Sequence, residues 1–230
     1  MKVLFVVTGT NFWLLNDGTR HPTGYWAEEF VAPYRVFKKA GYEIVVATPG
    51  GVVPTVDQLS LTPEMAGSAE IARAEIDVIE AADELRKPIV LADARVADYD
   101  AVYYPGGHGP MEDLWRDQDS AALLIEALHS GKPLAVVCHA PAALLATKQE
   151  DGTTPFAGYR VTSFTNEEEQ QAGFASRAPW LVQTELVKLG LKFDEGEPWK
   201  VHLVTDRNLY TGQNPASSGP LAGEIAKILG

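Results

Sequence analysis

The chain of 230 residues holds a single cysteine, Cys138. An internal disulfide is therefore impossible, and the count suits a reducing compartment. Long hydrophobic runs are missing too. The apolar N-terminal stretch MKVLFVVTGT is too short to span a bilayer and carries no small-residue cleavage site, so it reads as a strand. A surplus of positive charge is also lacking: 19 Lys and Arg stand against 31 Asp and Glu, a formal net charge of −12. Without a local basic patch to override it, that balance excludes a phosphate duplex or an anionic membrane surface as partner. The five tryptophans and eight tyrosines are scattered, with no basic residues interleaved. Repeats, low-complexity tracts and Pro/Gly/Ser linkers are absent. No spacing of His, Cys, Asp and Glu makes a convincing metal site. What these absences leave is a soluble cytoplasmic protein, one domain over residues 1–230, without nucleic-acid, membrane or metal partners.

What is present alternates. VLFVVT (3–8), EIVVATP (43–49) and PLAVVC (133–138) are β-branched and nearly continuous, the pattern of strands buried on both faces. YDAVYYPGGHG (99–109) is a strand running into a glycine loop. YRVTSFT (159–165) is a further strand, and KVHLVTDRNLYTG (200–212) is a hairpin turning at Asp206-Arg207-Asn208. Between them, GYWAEEFVAPYRVFKKAG (24–41) has apolar residues at helical spacing, acids early, lysines late and Gly41 as a stop. Pro33 predicts a kink or broken turn within it. Helices are also expected near 69–86, at SAALLIEALHSG, at PWLVQTELVKLG and at the C-terminal PLAGEIAKILG. Strands alternating with helices give an α/β fold, a doubly wound, mainly parallel sheet with helices on both faces, hence a three-layer sandwich. Ligands bind such sheets at the carboxyl ends of the strands.

Cys138 stands at one of those ends. Strand, turn and a helical APAALLAT segment together predict a nucleophile elbow, in which the helix amino terminus would lower the thiol pKa. A lone buried cysteine is more often inert core filler, and this local context is what reverses the preference. His139 follows directly. A cysteine–histidine pair needs a carboxylate to orient the imidazole, and TNEEEQQ (165–171) could supply it. In PGGHG, the N–H groups of Gly106 and Gly107 could hold an oxyanion, although a glycine pair alone is equally an ordinary tight turn. Glu28 and Glu29 open the first long helix. Being about 100° apart they cannot both face one site, and acids there also serve the helix dipole.

Several of these stretches resemble one family. YDAVYYPGGHG, AVVCHAPAAL and TGYWAEEFVAPYRVFKKAGYEIVVATP are similar to the DJ-1/PfpI superfamily, which has the flavodoxin-like fold of class I glutamine amidotransferases. VTSFTNEEE, GEPW and LYTGQNPASS resemble more narrowly its heat-shock-chaperone branch of glutathione-independent glyoxalase III enzymes. The resemblance spans nearly the whole chain. It implies a cysteine nucleophile at Cys138, with His139 beside it. It implies Glu169 as triad acid, with Glu168 one register away, and Glu29 as a second glutamate near the sulfur. Gly107, His108 and Ala140 would bind the substrate and its oxyanion. The implied reaction is cofactor-free conversion of a small 2-oxoaldehyde such as methylglyoxal into a 2-hydroxy acid, lactate, through a cysteine hemithioacetal, by a homodimer. In that scheme Glu29 handles oxygen-bound protons and His139 the carbon-bound one. His202 is followed by LVT, so the late histidine–glutamate pair of true glutaminases is missing. Two other readings stay open: a redox-responsive stress protein or holdase chaperone, and a cysteine hydrolase or hydratase of another small electrophile.

Overall fold

The computed structural model describes residues 1–230. In chain order the strands are β1 (Lys2–Val6), β2 (Phe12–Leu14), β3 (Arg20–Pro22), β4 (Glu43–Thr48), β5 (Ile89–Val90), β6 (Ala101–Tyr104), β7 (Leu134–Val137), β8 (Arg160–Val161), β9 (Lys192–Phe193), β10 (Leu203–Asp206) and β11 (Leu209–Gly212). The helices are α1 (Ala27–Lys39), α2 (Pro63–Ala66), α3 (Ala69–Ala81), α4 (Asp83–Arg86), α5 (Gln118–Ser130), α6 (Asn166–Gln171), α7 (Val182–Lys188) and α8 (Ser218–Leu229). Seven strands form the central sheet in the order β10-β11-β7-β6-β1-β4-β5, with only the β10–β11 pair antiparallel. Every residue of β6 and β7 is buried, as expected of strands covered on both faces.

The chain leaves β1 toward β4 on one side and later returns to β6 on the other. Right-handed crossovers in opposite directions put α1 and α5 on opposite faces of the sheet. They also open a crevice where the direction reverses, outside the carboxyl ends of β1 and β6. The sheet, the hairpin at 203–212 and the sandwich thus follow the sequence pattern.

Local expectations fail in four places. Helix α1 runs uninterrupted through Pro33. The proline removes the N–H that would bond the carbonyl of Glu29, and the Tyr103 hydroxyl donates to that carbonyl instead, at 3.2 Å. Tyr103→Phe leaves a buried carbonyl unpaired, and we expect a loss of about 1–3 kcal/mol in chemical denaturation. The helix expected over 69–86 is broken at Ala82, whose extended backbone separates α3 from α4. The strand expected over 159–165 is reduced to β8, and the remainder crosses the sheet end as a loop. The segment after Cys138 is a 3-10 helix, Ala140–Thr147, rather than an α-helix. Nearly all its side chains are buried. The hairpin β2–β3 had no expectation at all.

Candidate active site

Cys138 follows β7 directly and adopts φ +60°, left-handed for a residue with a Cβ. Such a conformation costs on the order of 1–3 kcal/mol and persists only when its surroundings fix it. Here the Cys138 N–H donates to the Gly212 carbonyl at 2.9 Å, and the Phe164 N–H donates to the Cys138 carbonyl at 2.8 Å. The strain turns the thiol to the rim of the sheet, the geometry of a nucleophile elbow.

The PGGHG loop lies hard against this elbow. A Cβ at Gly106 would sit 2.6 Å from the Val137 carbonyl oxygen and 2.8 Å from the His139 nitrogen, so only glycine allows the approach. The Gly106 N–H donates to Glu29 Oε2 at 2.6 Å. It is thereby spent on Glu29, which corrects its expected role at an oxyanion. The Gly107 N–H is the backbone group near enough to the sulfur to favour its anion. Glu29 enters from the first turn of α1 and is fully buried, while Glu28 is half-buried on another side of the helix. The 100° offset between neighbours separates the two as expected.

His139 Nδ1 lies 3.2 Å from Cys138 Sγ, and its Nε2 lies 2.7 Å from Glu169 Oε2. The other Glu169 oxygen is 2.9 Å from His108 Nε2. His108 stacks on Trp13, with ring centroids 4.6 Å apart and planes 14° from parallel. Ligand atoms of His108, His139 and Glu169 lie within 4.8 Å of one another, the cluster of this chain best shaped for a cation, yet the hydrogen bonds already use them. Ala140, expected to touch substrate, is fully buried at the start of the 3-10 segment and does not line the cavity.

Glu168, one residue from Glu169, faces away and does different work. Its Oε2 accepts from the Thr165 N–H at 2.9 Å, closing a capping box on α6. Its Oε1 accepts from the Trp199 N–H and the Asn214 amide, each at 2.8 Å. Glu168→Gln turns an amide NH₂ toward these donors. We expect it to cost about 2–4 kcal/mol, read as a lowered melting temperature.

The electrostatics differ from the sequence expectation at the sulfur. Burial pushes the Cys138 thiol well above its ordinary value, and the charge and hydrogen bonding of Glu29 push it further. The Gly107 N–H opposes this without prevailing. A full α-helix amino terminus, which could have offset it, is not there. Burial likewise raises Glu29 to about 8. Burial lowers His139, and His108 adds to this, so the imidazole is neutral near pH 7. Burial would raise Glu169, but the two imidazoles outweigh it and hold its carboxyl well below the usual range. The resting site is thus a neutral thiol, a protonated Glu29, a neutral imidazole and an ionised Glu169.

These groups open on a cavity of about 450 Å³. Its walls include Trp26, Phe164, Phe174 and Trp199 with Leu59 and Met65. The first four had no place in the sequence reading of the site. Trp199 adopts φ +62°, a strained backbone in the cavity wall. The GEPW stretch that carries it was a visible signal, although nothing in its composition tells where the indole points.

A nucleophile elbow at the sheet's rim, on this strand order, defines a protein of the class I glutamine amidotransferase-like fold. The DJ-1/PfpI family model matches residues 22–228, and the chain belongs to that family. It is 30% identical to the protein/nucleic acid deglycase HchA of Pseudomonas aeruginosa over 236 residues, covering 99% of this chain and 80% of that one. Glyoxalase III of Candida albicans is 26% identical with a TM-score of 0.82, covering 99% of this chain and 96% of that one. The Rapid Encystment Protein 24 kDa of Francisella tularensis is 26% identical with a TM-score of 0.86, covering 100% of this chain and 99% of that one.

Proposed function

We propose that the chain is a glutathione-independent glyoxalase III-type enzyme. Its substrate is a small 2-oxoaldehyde, methylglyoxal being the simplest, and its product is the 2-hydroxy acid. The observation that carries this is the hydrogen-bonded row from Cys138 Sγ through His139 to Glu169, with a protonated Glu29 beside the sulfur and a cavity in front of it. A glyoxalase III and a deglycase among the similar proteins support the same reading.

Because the resting thiol is neutral, addition is coupled to proton transfer. The sulfur bonds to the aldehyde carbon as its proton passes to His139 Nδ1, and the imidazolium is held by Glu169. The aldehyde oxygen takes the Glu29 proton, giving a hemithioacetal with no free alkoxide. His139 is then cationic and Glu29 anionic, so the base left for the carbon-bound proton is Glu29. This reverses the division of labour expected from the sequence. Glu29 removes the proton from the former aldehyde carbon while His139 protonates the neighbouring carbonyl oxygen, and the product is an enediol. Returning the Glu29 proton to the second carbon and the enediol O–H proton to His139 leaves a thioester. Water hydrolyses it to the 2-hydroxy acid and regenerates the thiol. The net reaction adds one water and moves hydrogen within the substrate, so no external oxidant or reductant enters.

The test is incubation with methylglyoxal and no glutathione, in deuterated water. Lactate should form with its second carbon keeping the hydrogen that Glu29 carries over from the aldehyde carbon, and solvent deuterium should enter there only as far as the Glu29 proton exchanges at the enediol stage. Absence of lactate, or an absolute need for glutathione, would overturn the reading.

A further inference from the structure

Adjoining the catalytic cavity is a smaller recess of about 170 Å³, and the two share Trp26, Met65, Trp199 and Pro215 as walls. No lysine or arginine lines either space. A substrate bearing a phosphate or carboxylate would find no cation to meet it. The carboxylates are placed otherwise. Asp57 in the main cavity is already engaged, accepting from the Thr23 hydroxyl at 2.7 Å and the Leu59 N–H at 2.9 Å. Asn214 in the recess donates to Glu168 and to the Lys200 carbonyl, each at 2.8 Å. Glu28 alone is free. Its half-buried carboxylate lines the recess, neither a hydrogen bond nor an ion pair engages it, and burial pushes its carboxyl up. The buried Glu75 lies close enough to feel that charge, and its own Oε2 has no partner.

One aromatic wall, Trp199, is fixed in place. Trp199 donates from its backbone to Glu168 and from Nε1 to Gln171 Oε1 at 2.6 Å, and it meets Phe164 edge-on at 5.4 Å. An unpaired carboxylate and two tryptophans lining one recess are a setting for a cation, which aromatic rings and a negative charge both attract. The net charge of −12 would steer cations toward the molecule.

We infer that the recess bounded by Trp26, Glu28, Met65 and Trp199 is a subsite for a cationic group, an ammonium or guanidinium, carried on the substrate away from its reacting carbonyl. This rests on the reading of the main cavity as the 2-oxoaldehyde site, and it makes the preferred substrate cationic rather than neutral or acidic.

Binding can be tested without turnover. Choline and 3,3-dimethyl-1-butanol have the same shape and differ in charge, and each can be titrated by tryptophan fluorescence. Choline should bind on the order of tenfold tighter. The gap should shrink with added salt, and Glu28→Gln should bring the two together. Equal affinities in the unaltered protein, or a gap that persists in Glu28→Gln, would overturn the subsite. A turnover arm compares a 2-oxoaldehyde ending in trimethylammonium with its tert-butyl and carboxylate analogues. The ratio of kcat/KM, cationic over neutral, should be on the order of ten and fall toward one in Glu28→Gln. If methylglyoxal itself is not converted, the glyoxalase reading fails while the choline titration still decides the subsite.

Discussion

Cys138→Ser should lower kcat/KM for methylglyoxal by on the order of 10³ or more while the fold is kept. The site is built around a proton transfer that a hydroxyl performs badly. His139 Nδ1 stands 3.2 Å from the sulfur and is held neutral by burial, so it can take a thiol proton. A serine hydroxyl is intrinsically far less acidic than a thiol, the same burial would disfavour its anion as well, and oxygen adds to the aldehyde as a weaker nucleophile. Nothing else in the site changes, because the elbow is held by backbone bonds to Gly212 and from Phe164. Circular dichroism should therefore superimpose on that of the unaltered protein while lactate formation disappears. Substantial lactate formation by Cys138→Ser would show that the sulfur is not the nucleophile. The row to Glu169 would then be structural, and the stress-protein reading would gain.

The parts of this site that were legible in the sequence are those set by local chain geometry. Strand-then-turn placed Cys138 at the sheet's rim, and PGGHG announced a backbone that approaches closely. The 100° offset within α1 separated Glu29 from Glu28. The division between Glu168 and Glu169 came from the family resemblance and not from local pattern, because it depends on partners 30 to 46 residues away: Trp199 and Asn214 claim one carboxylate, and His139 the other. The sign of the thiol shift was illegible for a similar reason. A sequence shows that APAALLAT can be helical; it does not show that the segment winds as a 3-10 helix. Nor does it show how deeply the sulfur lies. Pro33 is the clearest case. Read locally it breaks a helix, yet Tyr103, from a strand 70 residues on, supplies the missing donor and the helix continues.

Glu29→Gln should separate reactivity from turnover. Glu29 loses its proton before the much higher thiol does, and the carboxylate then raises the thiol; removing it should make the thiol pKa fall. Alkylation of Cys138 by iodoacetamide near pH 7.5 should become faster. Turnover should fall by about 10²–10³, because an amide can neither give the aldehyde oxygen its proton nor take one from carbon. The pH profile carries the same signature. With Glu29 at about 8, kcat/KM in the unaltered protein should decline above that pH as the carboxyl loses its proton. The residual activity of Glu29→Gln should lack that limb. Stability must move too, and its sign is set by linkage. The carboxyl is near 4.5 when unfolded and about 8 when folded, so between these values the native state binds more protons. Stability therefore falls as pH rises from about 4.5 to 8 in the unaltered protein, and this slope should be shallower in Glu29→Gln. A variant with unchanged turnover would remove Glu29 from the mechanism. A variant whose thiol reacted more slowly would mean that the carboxyl assists the sulfur instead of restraining it.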